Sequence, residues 1–147
     1  MKIAFGNDHA AREVRAELIE YAKSLGHEVV DYGYAGDGSA DYPVYARKVA
    51  NAVVNGEADC GILVCGTGIG MAIAANKVHG IRCAVCNDPY SATMAHEHND
   101  ANVIAVGARV VGIEVLKSIF RNYLAARYNE KYNARLAMIA EIEREGK

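Results

Sequence analysis

The chain has 147 residues, of which 52% are hydrophobic and 23% charged, and its formal net charge is −2. A chain of this length can bury about two-thirds of its unfolded surface in one domain. It has no basic excess to neutralise a phosphodiester backbone, and no apolar run near the roughly 18 residues of a membrane span, so neither nucleic acid nor membrane is expected as a partner.

The first residues, MKIAFGNDH, reach Asp8 too soon for a signal peptide, and a cytoplasmic home is expected. KIAFG (2–6) reads as a first strand ending at Asp8 and His9. Val14, Leu18, Tyr21, Ala22 and Leu25 then recur at helical spacing, with Gly26 as a C-cap. EVVDY (28–32) is a second strand, and GYAGDGSAD (33–41) is the loosest segment. DYPVYARKVANAVVNG places Pro43 in a first helical turn and ends at Gly56. GILVC (61–65) is a third strand, and a short helix opens at about residue 68. IRCAVC (81–86) and NVIAV (102–106) supply two further strands, separated by a helix beginning at Pro89. A longer helical pattern covers about 111–127, and ARLAMIAEIERE closes the chain with charges on its outer face. No strand follows that last helix, so it is expected to pack on a partner chain or to close over a site.

Strand–helix alternation with mostly apolar strands predicts an α/β fold. The expected form is a three-layer α/β/α sandwich around a Rossmann-like five-stranded parallel sheet, with an additional C-terminal helix and a single domain over 1–147.

Four cysteines are present, at 60, 65, 83 and 86. The CAVC spacing matches half of a zinc or redox motif. On a strand, however, residues three apart point to opposite faces. Cys60, Cys83 and Cys86 therefore read as small core residues, and no metal site is expected.

Ligands of open parallel sheets bind beyond the carboxyl ends of the strands. Those ends bring Asp8 and His9, then Asp41 and Tyr42, then Cys65 with GTGIG, then Asn87 and Asp88, and finally Arg109. The helix before the fifth strand ends in HEHND, which adds His96, His98, Asn99 and Asp100. Each has an ordinary reading as a cap, a solvated end or a packing residue. Their expected convergence on one crevice favours a site, since core packing gives no reason to gather acid, imidazole, thiol and amide donors. His96 and His98 are not a metal pair, because two residues on a helix lie about 200° apart.

GTGIG is not a dinucleotide fingerprint, because residue 71 is Met, and no Lys follows to make a phosphate loop. Its free amides suit a small oxyanion. A helix start also favours the thiolate of a neighbouring cysteine, so Cys65 is expected to act as a nucleophile or as a base. A base removing a proton beside a carbonyl needs an oxyanion hole for the enediolate, and the glycine turn offers one.

Taken together, DH after the first strand, DYP, CGTGIGMAIAANKVHGIRCAVC, HNDANVIAVGARVVG and the trailing ARL resemble the ribose-5-phosphate isomerase B family. That family also holds allose-6-phosphate and galactose-6-phosphate isomerases. The resemblance covers nearly the whole chain and is densest over about 60–112. It implies aldose–ketose interconversion of a sugar phosphate without metal or organic cofactor. Cys65 matches the base that moves a proton between C1 and C2, and Thr67 the hydroxyl relaying one between O1 and O2. The amides from Gly66 through Gly68 to Gly70 match the enediolate cradle. Asp8 and His98 match the ring-opening pair, Asn99 a sugar contact, and Tyr42 a pocket wall. His9, Arg109 and Arg135 match the phosphate side. The resemblance implies a homodimer or dimer of dimers whose sites are shared, with His98, Asn99 and Arg109 from the second subunit. One branch of the family uses a Glu where Met71 stands, which leaves Cys65 as the base.

Two departures stand out. Before the last helix the family carries GGRH, whereas this chain reads NEKYNARL, one residue shorter. Lys131 then stands opposite the first Arg and Tyr132 opposite the His; Lys keeps the charge without the bidentate fork. After DH comes AAREVRAEL in place of GG or AG, which bears on substrate size. The expected substrate pair is ribose 5-phosphate and ribulose 5-phosphate, with a six-carbon aldose phosphate or a non-catalytic partner subunit as alternatives. A phospho-accepting signalling domain would need an Asp where Cys65 stands.

Overall fold

The structure is a computed structural model that describes residues 1–146. Five strands form one parallel sheet: β1 (Lys2–Asn7), β2 (Glu28–Asp31), β3 (Cys60–Cys65), β4 (Cys83–Val85) and β5 (Val103–Gly107). Their spatial order is β2-β1-β3-β5-β4. Six helices accompany them: α1 (Arg12–Ser24), α2 (Tyr42–Val54), α3 (Ile69–Ala75), α4 (Pro89–Glu97), α5 (Ile113–Ala125) and α6 (Asn133–Glu145). The expected α/β class and the five parallel strands are thus present.

The strand sequences dictate the layers. Along β3, Ile62 and Val64 join α1, α4 and α5 in one core, while Leu63 and Cys65 join α2 and α3 in the other. Ile104 and Val106 alternate with Val103 and Ala105 in the same way along β5. Both faces are covered, so both sets of residues are apolar. On the α2 face the strands carry Gly6 and Gly61. A Cβ at either would come within 2.7 or 2.6 Å of Val49, so α2 lies closer to the sheet than a side chain would permit.

The cysteines divide as strand periodicity requires. Cys60 and Cys86 belong to the α1 face, and Cys65 and Cys83 to the α2 face. Cys83 is half-buried rather than buried. The fourth strand is also shorter than the apolar run 81–86 suggested. Its first amides go elsewhere: Ile81 N–H donates to Val78 O at 3.1 Å, and Arg82 N–H to Asn102 Oδ1 at 2.8 Å.

Helix ends follow the expected punctuation. Gly26 (φ 89°) and Gly56 (φ 73°) follow α1 and α2 in the left-handed region. Pro43 and Pro89 sit in first turns. Asp88 caps α4, accepting from Ser91 N–H at 2.7 Å and from Ser91 Oγ–H at 2.6 Å, which holds its carboxyl below the usual range. The segment 33–41 forms no regular element, but Asn7 Nδ2 donates to Tyr34 O at 2.9 Å and ties its start to β1. The last helix, α6, buries none of its residues, and Met138 and Ile142 are 63% and 67% exposed. Among the described residues, no helix is long and apolar enough to cross a membrane.

Candidate active site

The chain leaves β1 on one side of the sheet's reversal point and β3 on the other. A crevice between their carboxyl ends is the place where such sheets bind ligands. Asp8 N–H donates to Val64 O at 3.2 Å, which draws the end of β1 against β3. Asp8 is buried, and its Oδ1 accepts Ala10 N–H at 2.9 Å. His9 follows, its Nδ1 3.2 Å from Ala40 N, so its ring is held against the end of segment 33–41.

At the end of β3, Cys65 accepts the Gly68 N–H on its sulfur at 3.1 Å. Gly68 has φ 81°, and a Cβ there would lie 3.0 Å from the Ala105 carbonyl group. The left-handed turn that aims this N–H back at the sulfur therefore needs glycine on two counts. Thr67 is exposed, and its Oγ1 accepts Ile69 N–H at 3.2 Å. At Gly70 an added Cβ would sit 2.9 Å from the Tyr42 ring, so that ring closes directly over the turn. The first-turn amides that follow have no intrahelical acceptor. Met71, where the Glu-using branch would place its base, is fully buried in the α2-side core.

The sheet pairing continues past the strands. Ala108 N–H donates to Cys65 O at 2.8 Å and Arg109 N–H to Gly66 O at 3.0 Å. Arg109 is thereby fixed beside the glycine turn, its Cδ 3.5 Å from where a Gly66 Cβ would stand. It shares a cavity of about 680 Å³ with His9, Ala10, Arg12, Glu13 and Ala108. Backbone bonds thus anchor Arg109 at the edge that carries Cys65 of its own chain, where the strand-end reading set it.

Asn87 was named in the sequence only as a strand-end residue, yet it clamps this edge. Its Oδ1 accepts Gly107 N–H at 2.9 Å, and its Nδ2 reaches Thr67 O at 3.4 Å. An added Cβ at Gly107 would lie 2.8 Å from Thr67 Cα, so the turn rests directly on the end of β5. The sequence signal was an Asn following an apolar strand.

One strand-end reading is corrected. Within a single chain His98 and Asn99 do not join this crevice, and the resemblance had assigned both to a second subunit. Helix α4 returns antiparallel to the strands, so it ends at the amino edge of the sheet, where β4 and β5 begin. There Arg82 holds Asp100 through Nε to Asp100 O and through its terminal nitrogen to Oδ2, both at 2.9 Å. Asp100 has φ 44° and turns the chain sharply after His98 and Asn99. The height of β5, about 17 Å for its five residues, separates the two edges. His96 and His98 diverge as the helical angle required: His96 Nδ1 is 3.3 Å from Tyr123 O, between α4 and α5.

The amino edge gathers a group of its own. Asn129 N–H donates to Glu97 O at 3.0 Å, which docks the start of the C-terminal segment on the end of α4. Tyr132 Oη then lies 3.2 Å from His98 Nε2, with the rings 4.6 Å apart. Lys131 Nζ lies 4.9 Å and the Arg135 guanidinium 5.4 Å from the Tyr132 ring centroid. Tyr132, noted in the sequence only as a departure, is the hub of this group.

Burial pushes the Cys60, Cys83 and Cys86 thiols up to about 12, with Asp59 adding to the effect on Cys60 and Asp88 to that on Cys86. Cys65 alone has a backbone N–H on its sulfur together with a glycine turn beside it. Among the described residues, no cluster of three or more His, Cys, Asp or Glu side chains could hold a metal ion.

Comparison with known proteins matches these features to named relatives. The family described as Ribose/Galactose Isomerase matches residues 3–139. Ribose-5-phosphate isomerase B of Escherichia coli (strain K12) is 48% identical, over 97% of this chain and 96% of that protein. The D-erythrulose-4-phosphate isomerase of Pectobacterium atrosepticum is 46% identical over 87% of this chain and 85% of its own length. The solved ribose-5-phosphate isomerase B of Clostridium thermocellum superposes with a TM-score of 0.96 at 46% identity, covering all of both chains. With the thiol-and-glycine turn at one edge of its sheet and matches of this extent along its length, the chain belongs to the ribose/galactose isomerase family.

Proposed function

We propose that the chain interconverts ribose 5-phosphate and ribulose 5-phosphate in the cytoplasm, as a homodimer or dimer of dimers whose sites are shared between subunits. The observation that carries this reading is the division of the site residues between opposite edges. The carboxyl edge holds Asp8, His9, Tyr42, Cys65, Thr67 and Arg109; the amino edge holds His98, Asn99, Lys131 and Arg135. Neither edge alone has both proton chemistry and a full set of cations. A two-fold axis that sets one chain's carboxyl edge against the other's amino edge completes two sites at once.

The chemistry assigned to these residues balances as follows. In ring opening, Asp8 takes the proton from the anomeric oxygen O1 while protonated His98 gives one to O4. The C1–O4 bond breaks and the C1 aldehyde forms. The Cys65 thiolate removes the C2 proton, and electrons move through C1–C2 onto O1. The Gly66–Gly70 amides hold the resulting enediolate, where donors of this kind contribute about 2.7–4 kcal/mol each. Thr67 carries a proton from O2 to O1, and the thiol returns its proton to C1. His9, Arg109, Lys131 and Arg135 hold the phosphate.

The test is a panel of four-, five- and six-carbon aldose phosphates assayed for ketose product, with wild type and Lys131→Arg. Turnover of ribose 5-phosphate above the others supports the reading, and its absence refutes it. Sharing of the site is tested by mixing Cys65→Ala and His98→Ala chains, each inactive alone. Statistical exchange restores roughly a quarter of wild-type activity if each site draws on two chains, and none if each chain carries a whole site.

A further inference from the structure

The group around Tyr132 has no counterpart in the proton chemistry above, although it touches three of the residues assigned there. We propose that Tyr132 is a positioning residue. Its hydroxyl orients His98 so that Nδ1 is the nitrogen that exchanges a proton with substrate, and its ring holds Lys131 and Arg135 as a paired phosphate seat. This rests on the sugar-phosphate isomerase reading and adds a residue to it.

The geometry supplies both roles. Tyr132 Oη lies 3.2 Å from His98 Nε2, and Glu97 Oε1 faces the same nitrogen at 3.9 Å. Two oxygens around Nε2 favour a proton on it, with N–H donating to the phenol oxygen. His98 then gives up or accepts its second proton at Nδ1. The 4.6 Å contact between the rings, tilted by 43°, limits rotation of the imidazole.

The same phenol ring takes both cations. Lys131 Nζ stands 4.9 Å and the Arg135 guanidinium 5.4 Å from its centroid, within the range of cation–π attraction. Both side chains are exposed, and the ring gives each a point of attraction. The backbone keeps the ring in place. Asn129 donates its N–H to Glu97 O at 3.0 Å and accepts Lys131 N–H on Oδ1 at 3.1 Å, and Tyr128 Oη donates to Asn133 Oδ1 at 2.9 Å. Residues 128–133 are thus registered on the end of α4, with Tyr132 as the contact that reaches the imidazole. The titratable groups against His98 are Glu97 from α4 and Tyr132 from the turn, while Lys131 and Arg135 lie over the Tyr132 ring.

Two substitutions separate the roles. Tyr132→Phe keeps the ring and removes the hydroxyl: kcat falls by about three- to tenfold with KM within twofold, and the acid limb of the kcat profile moves. Tyr132→Leu also removes the ring, and inorganic phosphate, measured by calorimetry on the dimer, binds about three- to tenfold more weakly. A third readout needs no turnover. In the ¹⁵N-labelled unliganded protein, Tyr132→Phe shifts the ring nitrogens of His98 and leaves those of His79 and His96 in place. Wild-type kcat and unmoved His98 resonances in Tyr132→Phe would overturn the orienting role, and unchanged phosphate affinity in a folded Tyr132→Leu would overturn the seat. If wild type turned over no aldose phosphate, the isomerase reading would fail, while the phosphate and resonance measurements would still decide the role of Tyr132.

Discussion

The two edges of the sheet carry different kinds of structure. At the carboxyl edge, backbone bonds tie the site to the sheet: Asp8 through its N–H to β3, Arg109 through its N–H to Gly66, and the glycine turn through Asn87 to the end of β5. At the amino edge, the cations stand on an exposed segment held to α4 by the Asn129 N–H and by the hydroxyl and ring of Tyr132 against His98. Under the proposed mechanism, the difference suits two tasks. Atoms that move protons need placement within a fraction of an ångström, whereas a phosphate can be held by charges that adjust. On α6, Met138, Ile139 and Ile142 are left exposed.

The contrast breaks most sharply at the sulfur. Cys65→Ala should lower kcat by about 10²–10⁴-fold, the range for a general base, while KM stays within about tenfold because the base acts in the transition state. Wild-type-like turnover would remove the carboxyl edge from the chemistry altogether.

Between the edges lies the buried interior, where pH supplies the next test. Cys60, Cys83 and Cys86 are pushed up to about 12 by burial, above the ordinary thiol value near 8.5. Unfolded chains lose these protons first, so the native state binds more of them as pH rises. The stability from the three neutral thiols is complete below about pH 8.5 and is lost progressively toward pH 12. Melting curves should fall across that window, and Cys86→Ser should flatten the decline. A flat melting temperature from pH 8.5 to 11 would contradict the burial argument.

Removing a cation from each edge sharpens the comparison. Arg109→Met should raise KM by about tenfold to a hundredfold, as expected when a fixed guanidinium loses a charge-assisted bond. Lys131→Met should raise it less, because its ammonium has no backbone anchor beside a turn. The reverse order in steady-state assays would mean that the amino edge dominates phosphate binding. Gly68→Ala tests the anchoring of the turn itself. A left-handed alanine with its Cβ 3.0 Å from the Ala105 carbonyl should lose about 1–3 kcal/mol of stability, read by urea denaturation. The smallest effect is expected at the other edge: Ile142→Ser should change that stability by less than about 0.5 kcal/mol, while sedimentation should show a weaker dimer. A dimer unchanged by this substitution would leave the exposed face of α6 outside the interface.

Much of this was legible in the chain. Alternation along ILVC and VIAV assigned two buried faces, and the same period placed Cys83 and Cys86 on opposite sides. Glycine and proline marked the helix ends, because left-handed φ and a missing N–H are requirements of single residues. The thiol-and-glycine turn was also legible, since strand, sulfur and helix start are adjacent in sequence. The placement of HEHND was misread, because it was assigned by its nearness to strand five rather than by the direction in which α4 runs. Arg109 was legible as a strand-end residue, but the N–H that pins it belongs to a ladder with residues more than forty positions earlier, which no local pattern reveals.

What the sequence by itself determined is local: strand and helix periods, caps, and a cysteine set before a glycine turn. These follow from rotation per residue and from backbone sterics, which act over a few positions. What only the tertiary structure decided is distance across the layers, including the separation of Cys65 from His98 at opposite edges, the anchoring of Arg109 and the meeting of Tyr132 with His98. Those depend on how each helix packs back along the sheet, and that direction is set when both faces are buried at once.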